Sequence, residues 1–175
     1  MKDIPYEKGK GIGDQIIREA GKKNRSGDWY SGKLRQVLGE LQEEDIDLQD
    51  TGGIEVGRMY FFVYGANTPK LTFFDRQPLA YITEINYNQN YFIGINLHYV
   101  GRQYREGLAK SLINKGRGSI VPKNSLHYYR YNGIGSLYKI PESEDWGSIS
   151  LLPTERFIGR NGMKYPKHKA WNWRK

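Results

Sequence analysis

Residues 57–100 form the longest block of β-type composition in the chain, GRMYFFVYGANTPKLTFFDRQPLAYITEINYNQNYFIGINLHYV. Aromatic and β-branched residues, which pack well on a pleated surface, dominate three runs of strand length at 59–64, 79–85 and 91–97. Turn clusters at 65–69 and 86–90 separate these runs and suit hairpin connections. The block predicts three or four short antiparallel strands in a curled meander or small barrel.

Two segments with helical periodicity flank this block. Within residues 26–44 the apolar side chains recur at helical spacing, at Trp29, Leu34, Val37, Leu38 and Leu41. Residues 101–115 repeat the pattern at Tyr104, Leu108, Leu112 and Ile113, and most of their basic side chains fall on the other faces. The predicted fold class is α+β, with a small antiparallel β meander or barrel-like core of SH3-like size, flanking helices, and extended N- and C-terminal arms.

Tyrosines surround Arg130 in the segment that follows the second helix. Tyr128, Tyr129 and Tyr131 suit a short helix, a partly buried tyrosine cluster, or a stacking platform. Interleaved aromatic and basic side chains are typical of sites for single-stranded nucleic acid. We favour the partly buried cluster, because tyrosine offers a large apolar face to a core.

Two closing strands are predicted at 137–141 and 149–152. Between them the sequence PESEDW indicates a short acidic helical turn, with Trp146 in the core or packed beneath that turn. The single α+β domain is therefore expected to span residues 26–157, with its β core at 57–100.

Both ends of the chain are predicted to be arms. Residues 1–25 contain glycines at 9, 11, 13 and 21 that interrupt a helix, and the sequence GKGIG lacks both P-loop spacing and a preceding strand. Residues 158–175 form a basic, aromatic, turn-rich tail that cannot build a core alone. We expect both arms to order against a partner surface.

The net charge of +8 is unevenly distributed. Residues 40–55 carry seven acidic and no basic side chains, which suits a hinge or a docking surface for a basic neighbour. Residues 101–140 carry eight basic and one acidic side chain, and residues 154–175 carry seven and one. Basic patches attract polyanions. The candidate nucleic-acid-binding residues are Arg102, Arg105, Lys110, Lys115, Arg117, Lys123 and Arg130.

Tryptophan and tyrosine in polar segments indicate contact with a partner, because an exposed aromatic ring is stabilised by burial. The candidate protein-interface residues are Trp29, Tyr165, Trp171 and Trp173.

Catalytic and metal-binding patterns are weak. The chain has no cysteine, and its three histidines, at 98, 127 and 168, lack zinc-site spacing. A nuclease of the Asp…Glu-x-Lys type needs a lysine two residues after a strand glutamate, whereas Glu84 is followed by Ile85 and Asn86. A Mg²⁺ site between Asp75 and Glu84 is a minor alternative. No Ser-His-Asp or Cys-His set is indicated. We predict a non-enzyme with no cofactor, metal, membrane span or small-molecule substrate.

The motifs, in order, resemble a family of tailed-phage virion proteins. They are Ser26-x-x-Trp29-Tyr30-x-x-Lys33, GRMYFFVY at 57–64, FFDRQPL at 73–79, GINLHYV at 94–100 and EDWGSISLLPTERF at 144–157. Phages of the T-even-like group and their relatives carry this family, whose members are called DNA end protector proteins. The likeness covers about three quarters of the chain. The family has Asp-Pro where Gly65-Ala66 stands, Phe at Gln77, and Leu-Pro-Pro at the start of the second helix, so the departures fall on turns and a helix start.

This resemblance implies a virion protein made in the host cytoplasm, and two roles stay open. One is a structural component of the neck, tail or baseplate that docks on other virion proteins through its arms. The alternative is a sequence-independent binder that caps and protects the ends of packaged DNA. No catalytic residue carries over. Asp75-Arg76 suits a turn-closing ion pair, and Asn96 and His98 are polar positions on one strand face.

Overall fold

The computed structural model describes residues 6–44, 53–66 and 71–172, without the side chains of Glu44 and Arg117. The described strands are β1 (Met59–Tyr64), β2 (Phe73–Asp75), β3 (Leu79–Asn86), β4 (Tyr91–Asn96), β5 (Leu126–Arg130), β6 (Ile134–Lys139) and β7 (Phe157–Gly159). The described helices are α1 (Ile12–Ala20), α2 (Gly27–Glu44), α3 (Arg102–Lys115), α4 (Trp146–Ser150) and α5 (Lys167–Trp171). An antiparallel sheet has the order β5-β4-β3-β1-β6, and β2 pairs separately with β7. The α+β class is confirmed.

The five-stranded sheet is strongly curled. Only the 3-10 turn Tyr131–Gly133 joins its outer strands, β5 and β6. In a flat sheet four strand spacings would separate these strands by about 19 Å, whereas the four Cα steps across the turn reach about 14 Å at most. The N–H of Gly65 donates to the carbonyl of Gly133 at 2.9 Å and fastens the turn to the end of β1. The sheet is barrel-like, but its described strands do not close into a barrel.

Both faces of this curled sheet are buried along β1. Tyr60, Phe62 and Tyr64 of β1 alternate with Met59 and Phe61 along the strand. The first three point into the curl and form an apolar cluster with Ile54, Ala80, Ile82, Phe92 and Tyr129. Met59 and Phe61 point outward, into the main core beneath the helices. Burial on both sides explains why β1 is an uninterrupted apolar run instead of an alternating one.

Helix α1 corrects the predicted N-terminal arm. Ile12 and Ile16 lie one helical turn apart and are fully buried in the main core, and this apolar stripe outweighs the helix-breaking glycines. Gly13 permits the close approach of α4, because a Cβ there would lie 2.1 Å from the carbonyl oxygen of Ser148. Residues 12–20 therefore belong to the domain, and residues 1–5 lie outside the described ranges.

The loop before α1 binds an anion from its own chain. The backbone N–H groups of Gly9, Gly11 and Ile12 donate to the buried carboxylate of Asp145 at 2.6, 2.9 and 2.9 Å. A carboxylate is favourable at this position, since the first N–H groups of a helix have no partner within it. The glycine-rich GKGIG loop is thus a docking point for the acidic turn before α4.

The C-terminal segment also corrects the predicted tail. Strand β7 pairs with β2, the ring of Tyr165 stacks on Phe73 with centroids 4.3 Å apart, and Ala170 of α5 is fully buried. Phe73, Tyr99 and Phe157 form a small third cluster that gives this segment an apolar surface to pack on. The domain extends to residue 172, and residues 173–175 lie outside the described part of the chain.

The predicted helices at 26–44 and 101–115 are confirmed, but the buried face of α3 differs from the predicted one. Arg105, Leu108, Ala109 and Leu112 are its buried residues, whereas Tyr104 is 66% exposed. The predicted β core at 57–100 is likewise confirmed. Within the described ranges, no helix is long and apolar enough to cross a membrane.

The closing segment is partly as expected. The strand predicted at 137–141 is β6, and the acidic turn is the 3-10 segment Ser143–Asp145, followed by buried Trp146. The strand predicted at 149–152 is wrong: these residues end α4 and the turn after it, because Ile149 and Leu152 face the core at helical spacing. Part of the predicted acidic surface, residues 45–50, lies outside the described ranges.

Candidate functional site

Polar side chains from four separate segments meet in the interior, between β2, the end of β4, α3 and residues 150–157. We call this set the polar junction. Its members, all buried, are Asp75, Asn96, His98, Arg105, Thr154 and Glu155. Burial of polar and charged groups is favourable only where partners replace water, so each contact in the junction matters.

Asp75 is the centre of one half of the polar junction. Its Oδ2 accepts hydrogen bonds from Asn96 Nδ2 at 3.0 Å and from His98 Nδ1 at 2.7 Å. Its Oδ1 accepts from the backbone N–H groups of Gln77 at 3.0 Å and Arg156 at 3.1 Å. Burial acts to raise the pKa of Asp75, but His98 and these hydrogen bonds outweigh it and hold the pKa below its ordinary value. The carboxylate is therefore ionised and accepts from all four donors.

Arg105 and Glu155 form the other half. The guanidinium of Arg105 donates to the carbonyls of Val100, His98 and Ser150 at 2.8 to 3.2 Å, and to Glu155 Oε2 at 3.0 Å. Lys167 Nζ of α5 lies 2.7 Å from Glu155 Oε1. Burial acts to raise the pKa of Glu155, but Arg105, His98 and Lys167 lower it to about 2. Four segments of the chain thus share one charged, hydrogen-bonded centre.

Thr154, His98 and Asp75 have the connectivity of a nucleophile, a base and an orienting acid. His98 Nε2 lies 2.8 Å from Thr154 Oγ1, and His98 Nδ1 faces Asp75. In a hydrolase, however, the hydroxyl must meet a substrate, whereas Thr154 and His98 are fully buried. In this conformation the three side chains hold β2, β4 and residues 150–157 together.

Sequence reasoning missed the polar junction. The available signal was a set of polar residues inside apolar runs: Asp75 after two phenylalanines, Asn96 and His98 within INLHYV, and Thr154 within LLPTERF. A buried strand or turn tolerates such residues only where partners satisfy them. Those partners lie 21 to 81 residues away in sequence for the contacts of Asp75 with Asn96, His98 and Arg156, so the sequence alone does not pair them.

The predicted nucleic-acid-binding residues differ in exposure. The prediction for Arg105 is wrong, because its side chain is fully buried in the polar junction and cannot contact a phosphate. Lys110 is exposed but lies 3.7 Å from Glu106. The other exposed members are Arg102, Lys115, Lys123 and Arg130, and the side chain of Arg117 lies outside the described part of the chain.

The predicted interface aromatics contact their own chain. Trp29 is half-buried, with its ring edge-on to Tyr30 at 5.0 Å. Tyr165 stacks on Phe73, and the half-buried Trp171 donates from Nε1 to the carbonyl of His98 at 2.9 Å. Trp173 lies outside the described ranges. The three described rings therefore stabilise the fold, whatever partner their exposed edges meet.

No metal centre is apparent in the described ranges. They hold no group of three His, Asp or Glu side chains that could bind a metal ion. Asp75 is buried and saturated, whereas Glu84 is exposed on β3, so the pair considered as a Mg²⁺ site is not brought together.

Comparison of the chain with protein-family models, curated proteins and solved structures finds no match.

Proposed function

We propose that this chain is a non-enzymatic structural component of a tailed-phage virion, in the neck, tail or baseplate, akin to the DNA end protector proteins. Its partners are other virion proteins. The support is the resemblance of five ordered sequence motifs to that family, combined with the place of three of these motifs in the fold.

The polar junction is the observation that carries this proposal. Asp75 belongs to the FFDRQPL motif, His98 to GINLHYV, and Thr154 and Glu155 to the motif at 144–157. These three motifs meet at hydrogen-bond distances within the buried centre. A buried, hydrogen-bonded set of this kind maintains a shape, as expected of a protein whose role is to be assembled.

Particle association tests the proposal. The chain, tagged at its N-terminus, is produced in a host infected by a phage that carries its gene, and particles are purified by density gradient. We expect a fixed copy number per particle, and retention after the particles are emptied and treated with DNase, because protein contacts hold the chain. Absence from purified particles would overturn the proposal.

A matched pair of variants sharpens this test. Lys164 and Lys169 are exposed outside the polar junction, and Lys164→Gln with Lys169→Gln should leave incorporation unchanged. Met163 and Ile120 are 65% and 95% exposed, and replacing both with Ser should reduce incorporation if apolar docking contributes. The reverse order would indicate attachment through DNA.

Capping of the packaged DNA ends is the second candidate, favoured by the exposed cations Lys115, Lys123 and Arg130. Binding to phosphates should weaken steeply with salt, with a log–log slope of about −0.9 per phosphate contact on duplex DNA. Titration onto blunt duplexes, overhanging duplexes and closed circles measures end preference. Equal binding to circles and ends would leave only general basic affinity.

A further inference from the structure

None of the described helices covers one part of the sheet's outer face. Strand alternation places Tyr129 of β5 inside the curl, so Tyr128 and Arg130 point outward. The register then defines two rows across β3, β4 and β5: Glu84, Ile93 and Tyr128 in one, and Asn86, Tyr91 and Arg130 in the other. We call these six residues the open sheet face.

Two tyrosines dominate the open sheet face. Tyr128 is 69% exposed, and its ring centroid lies 5.3 Å from that of the half-buried Tyr91 on the neighbouring strand. Tyr91 is held in place because Asn86 Nδ2 donates to its hydroxyl at 3.3 Å. A third ring, Tyr87, is 74% exposed in the adjoining β3–β4 turn. These rings offer flat apolar surfaces to solvent, although burial would stabilise them.

Hydrogen-bonding groups border these rings. Arg130 is exposed and, within the described ranges, has no ion-pair partner. Gln89, Asn90, Tyr131 and Asn132 line a shallow cavity of about 290 Å³ together with Arg130. Amide side chains donate and accept, and a guanidinium matches a phosphate bidentately. The cavity thus supplies polar partners at one edge of the stacking surface.

Charge and shape together decide the occupant. The chain carries +8, and Arg130 is the one basic residue among the six of the open sheet face. Planar rings beside an unpaired arginine and several amides fit a ligand with flat π-faces, phosphates and polar edges. A base-paired duplex hides its bases inside the stack, so unpaired bases are the better match.

We propose that the open sheet face binds single-stranded nucleic acid, with unpaired bases stacked on Tyr128 and Tyr91 and a phosphate held by Arg130. This inference is independent of the proposed virion role and stands if that role fails. Glu84 is the unfavourable member of the face, because its carboxylate repels the phosphate backbone.

Fluorescence anisotropy of a labelled 15-nucleotide oligothymidine, titrated with the full chain, tests the proposal. Tyr128→Ala should weaken binding about tenfold, the loss of one stacked base. Arg130→Gln should reduce the salt slope by about 0.7, the release of one counterion from a single strand. Glu84→Gln should tighten binding.

Tyr104→Ala is the matched control, since Tyr104 is 66% exposed on α3, a helix that contributes no residue to this face. It should bind like the unchanged protein. Thermal unfolding of each variant checks that the fold is intact, which is expected because the substituted side chains are exposed. Equal affinity of Tyr128→Ala and Tyr104→Ala would overturn the proposal, as would equal affinity for blunt duplex and single strand. If the unchanged chain did not bind the oligonucleotide but Tyr128→Ala lost particle incorporation, the face would be assigned to a protein partner instead.

Discussion

The polar junction and the interior of the curled sheet are equally buried but hold the chain together by different means. In the curl, Phe62 contacts Phe92 and Tyr129 with ring centroids 5.9 and 5.3 Å apart, edge to face. In the junction, Arg105 donates to Glu155 Oε2 at 3.0 Å, and Asp75 Oδ2 accepts from His98 Nδ1 at 2.7 Å. Apolar contact is tolerant of small changes in geometry, whereas a buried ion pair is favourable only when complete.

The curl and the polar junction contribute differently to the fold. The aromatic interior stabilises the sheet through area removed from water. The junction adds little net stability over an apolar equivalent, but it decides which segments meet, because an unpaired buried charge is strongly unfavourable. It ties α5 and residues 150–157 to β2, β4 and α3. Removing one partner should therefore cost more in the junction than trimming one ring in the curl.

Arg105→Leu should have the largest effect. It leaves Glu155 with one buried oxygen unpaired, and the free energy of unfolding should fall by about 3–5 kcal/mol. Urea unfolding measures the change. Arg102→Leu is the control on the same helix, since Arg102 is half-exposed and lies 3.8 Å from the same carboxylate, and it should cost about 1 kcal/mol or less. Similar losses in the two variants would show that burial of Arg105 is not decisive.

Acidification should cause the second largest loss of stability, through the polar junction. Because the pKa of Glu155 is lowered from 4.5 to about 2, its stabilisation is complete above pH 4.5 and is lost as the pH falls toward 2. The lowered pKa of Asp75 acts in the same direction. The Glu155 shift corresponds to about 3 kcal/mol. Unfolding free energies measured from pH 6 to pH 2.5 should show this loss, with a shallower pH dependence in Glu155→Gln. Identical pH dependence would contradict the assignment.

Phe62→Leu tests the other region and should cost about 1–2 kcal/mol, because a smaller apolar side chain leaves a partly collapsed cavity. The buried members of this cluster are apolar and tyrosine side chains, none of them a carboxylate or an imidazole, so we expect a similar loss at pH 6 and pH 3.5. Urea titrations at both pH values measure it. A loss that grows in acid would show that the stability of the curl depends on the polar junction.

Trp171→Phe should have the smallest effect, about 1 kcal/mol, because it removes one hydrogen bond to the carbonyl of His98 and keeps most of the apolar contact. Met163→Ala, at a position 65% exposed in the same segment, should change stability by about 0.5 kcal/mol or less. Thermal unfolding compares the two. Equal stability of the variants would mean that α5 is not anchored through Trp171.

Local pattern predicted the regular elements well. The runs at 59–64, 79–85 and 91–97 became β1, β3 and β4, and the periodic segments became α2 and α3. Strand and helix signals depend on neighbours two to four residues away, which a single sequence displays directly. The α+β class follows from the same signals.

Long-range packing decided the rest. Tyr104 and Arg105 are adjacent, and the periodicity of α3 allows either to face inward; Glu155, fifty residues later, selects Arg105. Asp145 likewise accepts hydrogen bonds from the glycine loop at the start of α1. Phe73 and Tyr99 give the C-terminal segment its packing surface. The sequence by itself determined the strands β1, β3 and β4 and the helices α2 and α3, because those preferences are local. Only the tertiary structure decided which polar residues are buried, because a charged side chain leaves water only where distant partners replace it.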